Sequence, residues 1–508
     1  MKNILMILSD EQRYDTLGCN GNSVAKTPNI DALAHEGVNF SSCFTPHPLC
    51  CPARASLWTG LMTHNHHVFD NWVAIRPELR DAGLVDNFHK AGYYTTYTGK
   101  WHVPGTNPER LHFDSWSAIP AIQNGRDRGR YIEDYRNYAE SQGYKLVTDN
   151  IENVTELDLQ NLTQPGKAPC ATAEIVIDHF LETWQTNQFI GELEKCPEDQ
   201  PFFAVCSYNA PHFPMLVPEP YDKLISPSDL ILSPNFRAGR EGKPKEIYDS
   251  KYFTNNEHLN EYEWKRLIAH YWGLCSLVDD QVGKIIKYLK ATGKIDNTII
   301  VYTSDHGDMI GSHGLNKKGF CMHYDEVTKV PLIIVDPDSR KDQKIDRLVS
   351  LIDIVPSLAE LVGISINTNT IDSKIHGKSF CSLMNDPCAP KIRNFILAET
   401  FDFAQKELGS GFKGEYIHPD SFNPDKDAYN ISIRTENEKY IMHWRDKDEY
   451  YDLKKDPFEN QNLYQEIIGT DTLLTLRNKM LNELIQTDSP LIDIVRKKIE
   501  NKKSEEEK

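Results

Sequence analysis

The sequence predicts an α/β protein. It has one large domain, residues 1–375, with a mostly parallel mixed sheet between helices, and a smaller α+β C-terminal domain, 376–508, with an antiparallel sheet. Three observations carry that reading. Continuous apolar runs of strand length alternate with helical patterns, the mark of strands buried on both faces. Beyond about residue 375 the pattern changes to alternating, strand-like segments around polar turns. At 508 residues the chain is long enough for a large core and a second, smaller one.

Each element follows from its own residues. "ILMIL" (4–8) is a buried first strand, too short for a secretory signal and without a small-residue cleavage site. "TPNIDALAHEG" (27–37) is a helix with Thr27 as its cap and Gly37 as its stop. "YYTTYTGKWH" (93–102) and "PFFAVCSYNAPH" (201–212) are strands that run into loops. Residues 261–293 form the longest helix, where Leu267, Tyr271, Leu274, Val278, Val282 and Ile285 recur at helical spacing and belong to the core. "NTIIVYTSDHGD" (297–308) is a strand that stops at acids, and "KVPLIIVDP" (329–337) is another buried strand. Residues 350–364 form a helix kinked or started near Pro356. In the smaller domain, 430–457 reads as an antiparallel meander, 471–485 as a final helix, and "KKSEEEK" as a charged tail. The weakly patterned stretches 119–165 and 232–260 read as long surface loops. Their basic clusters, "RDRGR" (126–130) and "REGKPK" (240–245), read as solvated charge.

Composition excludes several classes. The net charge of -18, from 56 basic and 74 acidic residues, argues against a nucleic-acid binder. An anionic substrate would need a local cationic pocket. The eleven scattered cysteines form no disulfide framework and fit a reducing compartment. No stretch is long enough to span a membrane, so a cytoplasmic protein without a membrane partner is expected. The oligomeric state, a homo-oligomer included, stays open.

Two strands end in acids: Asp10 with Glu11, and Asp305 with His306. Ligands gather at the carboxyl ends of strands in such sheets, and these four side chains together make an oxygen-rich divalent-cation site with one imidazole. In "LCCPARASLWTG" (49–60), Pro52 suits the first turn of a helix and sets Cys50 at its N-terminus. Free N–H groups and the helix dipole there favour anions and are expected to lower a thiol pKa. Arg54 adds positive charge one turn on.

That segment resembles the sulfatase signature, Cys-x-Pro-x-Arg followed by four residues and Thr-Gly. Register puts Cys50 in the first position and Cys51 in the variable one. The second motif of the family is present as Gly99-Lys100-Trp101-His102. The strand-end acids, "NAPHFP" with His212, "HGLNKKGF" with Lys318, "YDEVTKVPLII" and the late "YYDLKKDPFENQNL" follow in the family's order. The resemblance is to formylglycine-dependent sulfatases of the alkaline-phosphatase-like superfamily and spans nearly the whole chain.

The resemblance implies that a maturation enzyme oxidises Cys50 to formylglycine. The hydrated aldehyde has two geminal hydroxyls, one to attack sulfur and one to expel sulfate as the hemiacetal collapses, which splits a hard step into two easier ones. It further implies that Asp10, Glu11, Asp305 and His306, with modified Cys50, hold one divalent metal that lowers the hydroxyl pKa. Arg54 would steady the deprotonated hydroxyl, Lys100 and Lys318 would bind sulfate oxygens, His102 would serve hemiacetal collapse, and His212 would protonate the leaving alcohol. The substrate implied is a sulfate ester of a small alcohol, a phenol or a saccharide.

Two positions depart from many sulfatases: Glu11 stands where they carry Asp or Gln, and His306 where they carry Asn. The His version also resembles phosphonate monoester hydrolases. An imidazole ligand softens the site, so manganese or zinc stands beside calcium, the first expectation. The same residues leave two alternatives: hydrolysis of phosphonate monoesters or phosphodiesters, and a non-catalytic binder of sulfated ligands with Cys50 unmodified.

Overall fold

The computed structural model describes residues 1–119, 129–147, 154–236, 238, 240–250, 256–366, 374–403 and 415–506. Its main sheet has eight strands: β1 (Asn3–Ser9), β2 (Val38–Phe40), β3 (Tyr94–Lys100), β4 (Ser115–Ile119), β5 (Phe202–Ser207), β6 (Thr298–Ser304), β7 (Leu332–Val335) and β8 (Gln343–Ile345). They lie in the order β8-β2-β7-β6-β1-β5-β3-β4. The central run β6, β1, β5, β3 and β4 is parallel, and β7 is antiparallel to both its neighbours. The α/β expectation holds.

The period-two geometry of β1 shows why its sequence is apolar throughout. Ile4, Met6 and Leu8 enter one core, with Trp58, Tyr97 and Trp101. Leu5 and Ile7 enter another on the opposite face, with Leu267, Tyr271 and Leu274. The first core is closed by α2 (Cys50–Thr59), and the second by α1 (Pro28–Glu36), α4 (Leu181–Lys195) and α5 (Glu261–Ala291). Thr27 stands at the α1 cap position, yet its hydroxyl bonds Asp31 (3.2 Å) and the Gly18 N–H (3.0 Å) instead of a helix N–H.

The second sheet is antiparallel, β9 (Ile396–Asp402), β10 (Ala428–Arg434), β11 (Glu438–Met442) and β12 (Glu449–Asp452), as the meander predicted. Its apolar face packs with α7 (Asp471–Gln486). Pro331 splits the predicted strand 329–337: Lys329–Val330 joins a small separate sheet with Cys43–Phe44, and only β7 enters the main one. Helix α6 (Ile354–Leu361) starts two residues before Pro356, where the ring costs no hydrogen bond.

Three readings are corrected. The stretch 119–165 is not simply loop: α3 (Gly129–Ser141) packs Tyr131, Tyr135 and Ala139 against Trp184, and Glu156–Leu162 is helical with a Thr155 capping box. In 232–260, Lys245–Tyr248 forms a helical turn. The charged tail is part of α8 (Ile492–Glu506), which buries Val495 and Ile499 and sets Glu506 on Arg477. Residues 126–128 of the basic cluster lie outside the described residues. All eleven cysteines are free. Among the described residues no helix is long and apolar enough to cross a membrane.

Candidate active site

Four neighbouring strands deliver the site at their carboxyl ends. β1 runs into Asp10 and Glu11, β6 into Asp305 and His306, β3 ends at Lys100, and β5 leads through Ser207 to His212. Gly99 permits the close passage of β3 past β5: its φ is 104°, and a Cβ there would lie 2.1 Å from the Ser207 carbonyl. Helix α2 brings Cys50 onto this edge as its first residue.

Asp10, Cys50, Asp305 and His306 converge, all buried, with one ligand atom of each within 4.8 Å of the others. The Cys50 Sγ lies 3.1 Å from His306 Nε2 and 3.6 Å from Asp10 Oδ1. His306 Nδ1 sits 2.8 Å from the Gly307 carbonyl, which accepts only from an N–H, so the proton is on Nδ1 and the bare Nε2 faces Cys50.

Arg54 braces the two carboxylates. Its Nε donates to Asp305 Oδ2 (2.8 Å), one terminal nitrogen to Asp10 Oδ2 (2.9 Å), and the other to the Lys100 carbonyl (2.6 Å) and Ser207 Oγ (2.9 Å). Its hydrogen bonds are thus spent on the acids and the strand ends. Lys100 Nζ stands 2.7 Å from Asp10 Oδ2.

Glu11 falls in an adjoining group with Asp10 and His212. Its Oε2 accepts from Lys318 Nζ at 2.6 Å and lies 3.4 Å from His212 Nε2, and its Oε1 is buried with no hydrogen-bond partner among the described residues. Glu11 and His102 hold the left-handed conformation, φ 66° and 55°, a strained state for such residues that recurs at functional sites. His102 Nδ1 is buried without a partner among the described residues.

The electrostatics follow from burial and these pairings. Burial raises the Asp10 carboxyl, but Lys100 and Arg54 outweigh it and hold the group well below the usual range. Burial pushes Glu11 up to about 8 against the pull of Lys318. Burial, then Lys100 for His102 and Lys318 for His212, keeps both imidazoles neutral, well below their ordinary value. For Lys100 the Asp10 charge overcomes burial and raises the ammonium. The expected lowering of the Cys50 thiol is overturned: burial, with Asp10 beside it, pushes it up to about 12. The helix terminus is a smaller effect than removal of a thiolate from water beside a carboxylate.

Several participants escape a reading of the sequence. Ser207 and the Gly307 carbonyl give no local signal of their partners. Asn71 accepts the Cys51 N–H at 3.0 Å, and its carbonyl takes the Cys51 thiol at 3.2 Å, which turns the second cysteine away from the cluster. His313 stacks on Tyr324 (4.3 Å between rings) and bonds Asn235 (3.0 Å).

Comparison with known proteins matches this architecture. The sulfatase family model covers residues 2–364, and the C-terminal model of N-sulphoglucosamine sulphohydrolase covers 311–487. An arylsulfatase of Clostridium perfringens is 29% identical over 506 residues, 95% of this chain and 94% of its own length. An N-acetylglucosamine-6-O-sulfatase of Bacteroides thetaiotaomicron is 26% identical, over 91% of this chain and 82% of its own. Among solved structures, a phosphonate monoester hydrolase of Agrobacterium radiobacter superposes with a TM-score of 0.74 at 25% identity, covering 96% of this chain and 95% of its own.

Proposed function

The chain belongs to the sulfatase family and is a sulfuric ester hydrolase, and we propose that it cleaves O-sulfate esters of saccharides through a formylglycine made from Cys50 and one divalent cation. The convergence of Asp10, Cys50, Asp305 and His306 within 4.8 Å is the observation that carries this reading. The donor set fits the ion: two carboxylates braced by Arg54, an imidazole with its bare nitrogen turned inward, and the Cys50 atom between them. Glu11, with one buried oxygen still without a partner, is the further ligand at its edge. Calcium suits the oxygens, and His306 extends the range to manganese or zinc.

When bound, the cation supplies a Lewis acid that acidifies the hydroxyl of the hydrated aldehyde, whose position the Cys50 Sγ marks. The rest is done by this chain's side chains. Arg54 fixes both acids and, with Lys100, keeps Asp10 deprotonated. Lys100 and Lys318, both buried and close enough to act on the Cys50 charge, hold the sulfate oxygens and neutralise charge that builds in the transition state. His102, neutral and with a buried Nδ1 that has no partner among the described residues, takes the proton whose loss releases sulfate. His212, anchored through its Nδ1–H to the Phe213 carbonyl (2.6 Å), turns Nε2 toward the leaving alcohol, and it delivers a proton there only after Nε2 has itself taken one up.

The saccharide assignment is supported by the relative named for N-acetylglucosamine-6-O-sulfate and by a structural neighbour, 20% identical, in complex with D-glucosamine-2-N,6-O-disulfate. The test is sulfate release from sulfated sugars and from an aryl sulfate by matured, metal-loaded protein; no release from any of them refutes it. A second reading, phosphonate monoester or phosphodiester hydrolysis, is favoured by His306 and by the Agrobacterium neighbour. Turnover of an aryl phosphonate monoester above that of the matching aryl sulfate would establish it.

A further inference from the structure

Next to the ligand cluster lies a cavity of about 860 Å3 lined by His212, Lys318 and Leu49, the residue before Cys50. Trp72 also lines it and is 39% exposed. Its position is set by α2 itself. The Cys51 N–H and thiol bond the side chain and carbonyl of Asn71, and the Val73 N–H closes a turn on the Asp70 carbonyl (3.2 Å). On the far side Val73 bridges to Glu415, whose carbonyl takes the Ala74 N–H at 2.9 Å. An indole is therefore held on a braced turn, one residue beyond the group that anchors the catalytic helix.

Beside apolar residues such as Leu162, Pro169 and Phe213, the lining carries polar Gln164, Lys167, Asn256 and Asn316. An aromatic face beside amides and a cation matches a sugar, whose C–H face packs on the ring while its hydroxyls bond the amides. The volume is near the top of the ~300–1,000 Å3 range of small-molecule sites, more than one sulfated ring needs.

We infer that Trp72 is a specificity-determining platform for the sugar next to the sulfated one, so the site takes a sulfated disaccharide or longer chain in preference to a monosaccharide or an aryl sulfate. Asn71 and Cys51 are positioning residues for that platform. The inference rests on the saccharide sulfatase reading above.

The test uses the full chain, matured and metal-loaded, with heparin- and chondroitin-derived sulfated disaccharides, their matching monosaccharides, and 4-methylumbelliferyl sulfate. For the best disaccharide, kcat/KM should exceed that of its monosaccharide about tenfold, mostly through KM. Trp72→Ala should erase this ratio, and Trp72→Phe should restore most of it, which separates stacking from misfolding. Equal rates on disaccharide and monosaccharide, or an unchanged ratio in Trp72→Ala, would overturn the platform. Turnover of the aryl sulfate alone would overturn it too, while leaving sulfate-ester hydrolysis standing. No turnover of any substrate would sink both readings.

Discussion

Arg54 Nε donates to Asp305 Oδ2 at 2.8 Å where both side chains are 1% exposed, and the same guanidinium reaches Asp10 at 2.9 Å. An acidic pair assembled from strands far apart in sequence is thereby bridged by one positive charge, and Lys100 at 2.7 Å from Asp10 adds the second. Removal of the guanidinium strands the buried Asp305 carboxylate and leaves Asp10 to Lys100 alone.

Arg54→Ala should therefore destabilise the fold by about 3–5 kcal/mol, read as a lowered urea midpoint. Arg54→Lys should recover only part of this, because one ammonium cannot span Asp10, Asp305, Ser207 and the Lys100 carbonyl. Full recovery by lysine would contradict the bracing role.

Chelation should abolish sulfate release and lower the melting temperature, since a cation held at a hundred times its Kd adds about 2.7 kcal/mol. Calcium, manganese and zinc are then returned one at a time to wild type and to His306→Asn. The variant should shift in favour of calcium, because the imidazole is the softer ligand. An unchanged order of restoration would remove His306 from the ligand set.

The thiol chemistry is testable without any substrate. Cys50 is sealed and pushed up to about 12, whereas Cys388 is exposed. Iodoacetamide at pH 8 should label Cys388 and spare Cys50 in the folded, unconverted protein. Labelling of Cys50 as fast as Cys388 would show a reactive thiolate instead of a precursor.

Stability should fall with acid. His66 and His323 are fully buried and held neutral well below the ordinary value, by burial first and then by neighbouring imidazoles. The unfolded chain takes up these protons near pH ~6.5. The stabilisation is thus complete above that pH and is lost as pH falls below it, by up to about 1.4 kcal/mol per group per unit. Urea midpoints at pH 7.5 and 5 measure the slope, which His323→Gln should make shallower; equal slopes would contradict this.

The parts of the site legible in sequence are those whose signal is local. Strand-end acids and the Cys50, Pro52, Arg54 spacing sit within single segments. What Arg54 touches, 251 residues away at Asp305, is set by strand order and escapes any window. The thiol shift runs against the local signal for the same reason: the helix terminus is local, burial beside Asp10 is tertiary. Helices α3 and α8 were hidden because polar residues crowd their few buried positions, Tyr131 with Tyr135 and Val495 with Ile499.

Mass spectrometry of the tryptic peptide that ends at Arg54, from protein produced with a maturation enzyme, tests the central claim most directly. Conversion of Cys50 to formylglycine with Cys51 untouched is the result expected. An unmodified Cys50, where a control sulfatase is converted in the same cells, would contradict the account.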